Sequence, residues 1–330
     1  MQTEPRARVA VWLRWLLPLA LAALLFVSLR AEFPQVLATL RNAKAVALVS
    51  LPLFLIWNQI ATLAWRRLLD ATEVDAVGVT SLARLRIEAQ AVNQVVPAAG
   101  LAGEVFRATS AAAPSQIGRA SVATALDNVA GTVAGLVFAV AAVVLHLFER
   151  SGPSELGPLA LLGAFALVVV LLVAAVPFVF ATRWLKLLSG KSVLRDTVEI
   201  FSKRGVALRR ALREAVALRL VERVMGVFEI YVLFRATGVS LSGTEAALIS
   251  AVIVLISFAA FFVPGQLGVA EAAVSSAAVL LGYPAAIGLS AALLRRARQL
   301  VVCVVGIVSL LLRGQGFRPL RQPSVYEEAG

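Results

Sequence analysis

Long apolar runs separated by short polar breaks fill most of this chain, and several runs reach about 18 residues or more, enough for a helix to cross a hydrocarbon core. Residues 1–30 have the charged start and apolar run of a secretory signal. Arg14 interrupts that run, no A-x-A-like site ends it, and Trp12 and Trp15 suit an interfacial belt, so an uncleaved first span is expected. Residues 45–64 predict a second span, closed by Trp65, Arg66 and Arg67. Residues 120–147, 157–182, 216–234 and 286–312 predict four more.

Two stretches break this pattern in the same way. From Ser81 to Val96 the periodicity is helical but too polar for a lipid-facing span, with Arg86, Gln90 and Asn93 along one stripe. Pro97 interrupts it, and a short helix from about Gly100 to Ala108 follows. In the second half, the run 244–263 meets Pro264 and Gly265 before a helix over 268–281. Pro97 precedes Glu104 by seven residues, Pro264 precedes Glu271 by seven, and Gly103 or Ala270 stands before each glutamate. One such break per half suggests an internal duplication. In transporters, interrupted segments at matching places in two halves point to the binding site. Each is expected to be a re-entrant hairpin, since irregular backbone at membrane depth must be covered by protein or a wet cavity.

Charge tests the layout. The chain has 31 Lys+Arg against 19 Asp+Glu, a net +12, with a mean hydropathy of +0.88. With the N-terminus inside, cytoplasmic segments hold 20 of the 31 basic residues and external ones five, at 30, 41, 44, 150 and 235. That bias accounts for the basic excess by positive-inside orientation, without nucleic acid. The expected fold is an all-α polytopic membrane protein of six full spans plus two oppositely oriented re-entrant hairpins in an inverted repeat. Its parts are a first half 1–182, a basic linker 183–215, a second half 216–312 and a tail 313–330, with both termini cytoplasmic. Within the linker Leu194, Thr197, Val198, Phe201 and Leu208 keep helical spacing, as in a helix lying at the headgroups; the other reading is a solvated basic loop. Cys303, the single cysteine, excludes an intrachain disulfide.

Each break leaves a helix N-terminus, near Gly100 and near Gly268, with free N–H groups and a positive dipole end inside the membrane. Two such ends make an anion site, and glycine lets a phosphate oxygen approach closely. The expected substrate-binding residues are Asn93, Pro97, Gly100, Gly103, Glu104 and Arg107 at the first break, and Pro264, Gly265, Gly268 and Glu271 at the second. Glu104 and Glu271 either cap their helices or carry protons. Asp127 and Asn128 serve either a relay or a hydrogen bond between helices. The fifth span carries Arg219, Glu222, Arg223 and Glu229 near one face with Gly226, a stripe able to pair with itself.

Arg295, Arg296 and Arg298 fall near mid-membrane, where each costs about 2.5 to 3.5 kcal/mol on insertion scales, so they should avoid lipid. Arg295 and Arg298 share a face and are expected to bind a headgroup phosphate. Arg296, rotated away, is expected to pair with Glu222, Glu229 or Glu271. The alternative holds all three in internal ion pairs. His146 is the only histidine, and H-E-x-x-H, G-x-S-x-G and P-loop spacings are absent, so no catalytic residue, metal or cofactor is expected.

The segments PAAGLAGEVFR (97–107), VPGQLGVAEAA (263–273) and ALLRRARQLVVCVVGIVSLLL (292–312) resemble the signatures of the lysylphosphatidylglycerol synthase transmembrane, flippase-like family. The resemblance implies a multi-pass protein of the bacterial inner membrane that translocates an anionic lipid or lipid-linked intermediate. It also leaves open an accessory role beside the enzymes of a lipid pathway, such as a hopanoid or glycolipid one. Two features depart from the family pattern. Val274 stands where the first break has Arg107, and only a polar tail follows the last span, so lysyl transfer is not implied.

Overall fold

The computed structural model describes residues 49–95, 101–151, 191–260, 266 and 268–312, with isolated positions at 34, 38 and 41. The expected first and fourth spans, the C-terminal tail, and Pro97, Gly100, Pro264 and Gly265 at the break tips lie outside the described residues. Among the described residues the regular structure is helical: α1 (Ser50–Ala71), α2 (Val79–Val95), α3 (Leu101–Ala111), α4 (Ile117–Ser151), α5 (Lys191–Ala236), α6 (Gly243–Ala259), α7 (Val269–Leu280) and α8 (Ala285–Leu312). A 3-10 turn, Pro114–Gln116, leads into α4.

Local chemistry explains several boundaries. Ser242 starts α6 with a capping box: its hydroxyl accepts the Glu245 N–H at 3.2 Å, and the Glu245 carboxylate accepts the Ser242 N–H at 2.8 Å. Gly268, at φ 78°, turns the chain into α7 through a conformation that costs other residues strain. Helix α5 departs from the expected layout. It runs unbroken through 215/216, where the linker was expected to give way to a span, and its one non-helical residue is Arg204. The sequence there loses apolarity but keeps the good helix formers Ala, Leu, Arg and Glu, so polarity changes without ending the helix.

Helices α2 and α3 form a hairpin whose ends return together, because the Val77 N–H before α2 donates to the Ala111 carbonyl that ends α3, at 3.3 Å. Helices α6 and α7 form the second, with the Tyr283 hydroxyl after α7 donating to Glu245 in the first turn of α6, at 3.0 Å. The hairpins open at opposite ends of the bundle. Arg119 at the start of α4 pairs with Glu73 beside the first opening, while Glu149 at the far end of α4 accepts from Thr244 beside the second. The 35 residues of α4 cover ~50 Å between them.

Packing then exchanges partners between the halves. Helix α4 lies against α6, α8 lies against α2, and α1 lies along α5. One core joins Trp65, Leu68, Leu82, Leu85 and Ala123 to α5, and a second joins Phe234, Ile249, Val274 and Ala291. Outer faces remain apolar: Leu55, Val137, Leu145, Phe228, Val304 and Leu311 are exposed. Residues 114–149, the leading turn plus most of α4, are long and apolar enough to cross a membrane.

Candidate functional site

Asp127, fully buried on α4, is the centre of the larger charged cluster. Its Oδ2 accepts from Arg219 at 2.6 Å, Arg107 at 3.1 Å and Arg86 at 3.2 Å, while Oδ1 accepts from Arg219 Nε at 3.2 Å. Arg219 also donates to Glu222 at 2.7 Å. Arg107 also donates to Glu104, whose carboxylate accepts from Asn128 at 3.2 Å. The Arg107 guanidinium lies over the Trp65 ring, 4.8 Å from its centroid, and the Trp65 indole N–H is held by Thr124 at 3.2 Å. Arg86, Arg107 and Arg219 thus meet Asp127, Glu104 and Glu222, and the cluster is electrically balanced. It ties α2, α3, α4 and α5 together.

Glycine makes the first hairpin tight enough to bring these groups together. The Gly103 N–H donates to Asn93 Oδ1 at 2.6 Å, and a Cβ at position 103 would collide with the Ala89 carbonyl and stand 2.6 Å from Asn93 Nδ2. Only glycine allows α3 that close to α2.

At the second break the arrangement differs. Glu271 accepts the Gly268 N–H at 2.9 Å and the Arg296 guanidinium at 2.7 Å; Arg296 also donates to the Gln266 carbonyl at 3.3 Å. The helix end expected to receive a phosphate is therefore capped by its own carboxylate, which occupies the N–H and places negative charge where an anion would sit. Arg296 makes one of the three pairings expected for it. Arg298, expected to face the substrate, instead lies with Nε 2.6 Å from Glu229 Oε1 and its guanidinium over Phe54 and Trp57, at 4.9 and 5.8 Å from the ring centroids. Burial of both partners explains the difference, since an ionised Glu229 in that position needs a cation against it.

Between these groups lies a cavity of about 90 Å³ walled by Trp57, Glu222, Arg223, Glu229, Ser250 and Arg295. Arg223 donates to the Gly131 carbonyl at 3.3 Å, and its Nε donates to nothing among the described residues. Of Arg295 and Arg298, both expected to face the substrate, Arg295 lines this cavity. Sequence reading missed the aromatic wall, although Phe54 and Trp57 stand three apart on one helical face, and it missed Ser250, a neutral residue with no pattern around it. It noted the stripe of Arg86 without assigning it to the site.

Comparison with curated proteins and with solved structures finds no match. The family model of the lysylphosphatidylglycerol synthase TM region matches residues 15–306. That span takes in both hairpins, the Asp127 cluster and the three arginines of α8, and it makes this a membrane protein of lipid-related function. The chain belongs to the family of the lysylphosphatidylglycerol synthase TM region.

Proposed function

We propose that the protein translocates an anionic lipid or lipid-linked intermediate across the bacterial inner membrane, by transport and not by catalysis. Its hairpins enter the membrane from opposite faces and both termini are cytoplasmic. The observation that carries this reading is the concentration of ionised side chains, from Asp127 to Arg295, inside a bundle whose outer faces are apolar. Ionisable groups at membrane depth are expensive and usually mark a substrate path. The halves also exchange helices around these charges, the architecture in which an inverted repeat binds substrate at its centre.

Headgroups would move along the polar interior while acyl chains stay in lipid. Purified full chain in phosphatidylglycerol-containing vesicles should make a fluorescent phosphatidylglycerol in the inner leaflet accessible to an external membrane-impermeant reductant. Chemical alteration of the lipid would instead mark an enzyme, and neither change would mark an accessory protein of a lipid-synthesis complex.

A further inference from the structure

We propose that the cavity between α5 and α8 is a phosphate site, with Arg223 and Arg295 as its charged ligands and Trp57 and Ser250 as neutral donors. This deepens the translocation reading and rests on it for one point only, that the phosphate belongs to a lipid headgroup.

Charge balance points to this cavity. Two carboxylates stand on its wall, and both are engaged: Glu222 by Arg219 at 2.7 Å, Glu229 by Arg298 at 2.6 Å. The remaining carboxylates nearby, Asp127, Glu104 and Glu271, are taken by Arg86, Arg107, Arg219 and Arg296. Arg223 and Arg295 form no salt bridge among the described residues, since the carboxylates near them are already paired with other arginines, and both line the same space. Among the arginines and carboxylates around the cavity the guanidinium groups outnumber the carboxylates by two, and an anion bound between Arg223 and Arg295 would offset that excess.

The donor set favours phosphate. A guanidinium presents a planar fork that matches phosphate oxygens. The Trp57 indole N–H is buried and donates to nothing among the described residues, so a neutral donor is also available at the wall. Ser250 is buried, with its hydroxyl 3.5 Å from where a Cβ at Gly226 would stand. A space of about 90 Å³ holds several waters or one small polyatomic anion. The N-terminus of α7 does not compete for this role, because Glu271 already takes the Gly268 N–H.

The test is equilibrium binding by the purified full chain in detergent, with inorganic phosphate, phosphatidylglycerol and diacylglycerol as probes. Phosphatidylglycerol should bind and diacylglycerol should not. Binding of inorganic phosphate as well would assign the site to phosphate from either source, and binding of phosphatidylglycerol alone would assign it to a lipid headgroup. The double variant Arg223→Gln/Arg295→Gln should weaken binding about tenfold or more. Gly226→Ala provides a variant that folds, since its Cβ meets only Ser250 Oγ at an ordinary distance, and it should also weaken binding by narrowing the cavity. Without ligand, Arg295→Gln should melt no lower than the wild type. The proposal is overturned if neither phosphate compound binds, if the double variant binds as tightly as the wild type, or if Arg295→Gln alone melts several degrees lower, which would reveal a carboxylate partner. Translocation by the double variant at the wild-type rate also removes the site and leaves the translocation reading standing; tight binding without translocation does the reverse.

Discussion

The two breaks begin from one pattern and end in different chemistry. At the first, the residue one turn after the glutamate is Arg107, and it turns inward to Asp127, so the α3 helix brings its own cation into a balanced cluster. At the second the same position is Val274, buried against apolar neighbours, and Glu271 must be met from another helix by Arg296. Arg295 and Arg298 lie on the same helix as that cation. The two breaks thus differ in where their positive charge comes from. The cluster at the first break is balanced, whereas the cavity walled by α5, α6 and α8 holds two arginines, Arg223 and Arg295, that make no salt bridge among the described residues.

The contrast between the breaks is most exposed at Asp127. Replacing it by Asn leaves Arg86, Arg107 and Arg219 facing one another, and breaking a buried ion cluster costs about 3 to 5 kcal/mol. Melting in detergent should drop further than for any single change at Arg298, Gly103, Gly268, Glu271 or Glu104. Asp127→Asn combined with Arg86→Gln should recover part of the loss, because Arg86 has Asp127 as its only salt-bridge partner among the described residues and goes with it. No recovery would mean that Asp127 matters for packing and not for charge.

Arg298→Gln comes next, at about 2 to 3 kcal/mol, through the buried Glu229 it leaves behind and the lost contact with Phe54 and Trp57. Lipid affinity should hardly change. If affinity fell while melting held, Arg298 would belong to the cavity and the division between pairing and binding arginines would fail.

Which of these features the sequence shows depends on how far apart the interacting residues lie. Hydropathy and the Pro-Gly breaks are local signals, so α4, expected over 120–147, is found at Ile117–Ser151, and α8, expected over 286–312, at Ala285–Leu312. The i, i+3 pairing of Arg219 with Glu222 was equally local, because one helical face holds both. The bonds from Asp127 to Arg107 and Arg219 cross 20 and 92 residues and depend on how α3, α4 and α5 pack. Periodicity carries no information on that. The sequence placed three arginines in α8, but which one makes no salt bridge among the described residues emerges only when Glu229 and Glu271 are seen to pair with the other two.

The glycines of the two breaks also differ. Gly103→Ala should cost about 2 kcal/mol, since the new methyl meets the α2 backbone at Ala89 and cannot be relieved by a side chain moving aside. Gly268→Ala should cost nearer 1 kcal/mol, the strain of a positive φ. Equal losses would mean that the second hairpin is packed as tightly as the first.

Glu104→Gln should have the smallest effect, under about 1 kcal/mol in melting experiments. Glu104 is partly exposed, with 26% of its side-chain surface open, and its role is shared. Arg107 keeps Asp127 at 3.1 Å, and a glutamine carbonyl can still accept from Asn128. The corresponding Glu271→Gln should cost more, because Glu271 is buried, and its loss takes an ionised partner from Arg296 and a charged acceptor from the Gly268 N–H at once. The two substitutions are chemically identical and each glutamate stands seven residues after its proline, so their ratio measures how far the two breaks differ. A loss at Glu104 as large as that at Asp127 would show that Arg107 is held mainly by the glutamate of its own helix. The first cluster would then be two local pairs in place of one hub, and the contrast with the second break would disappear.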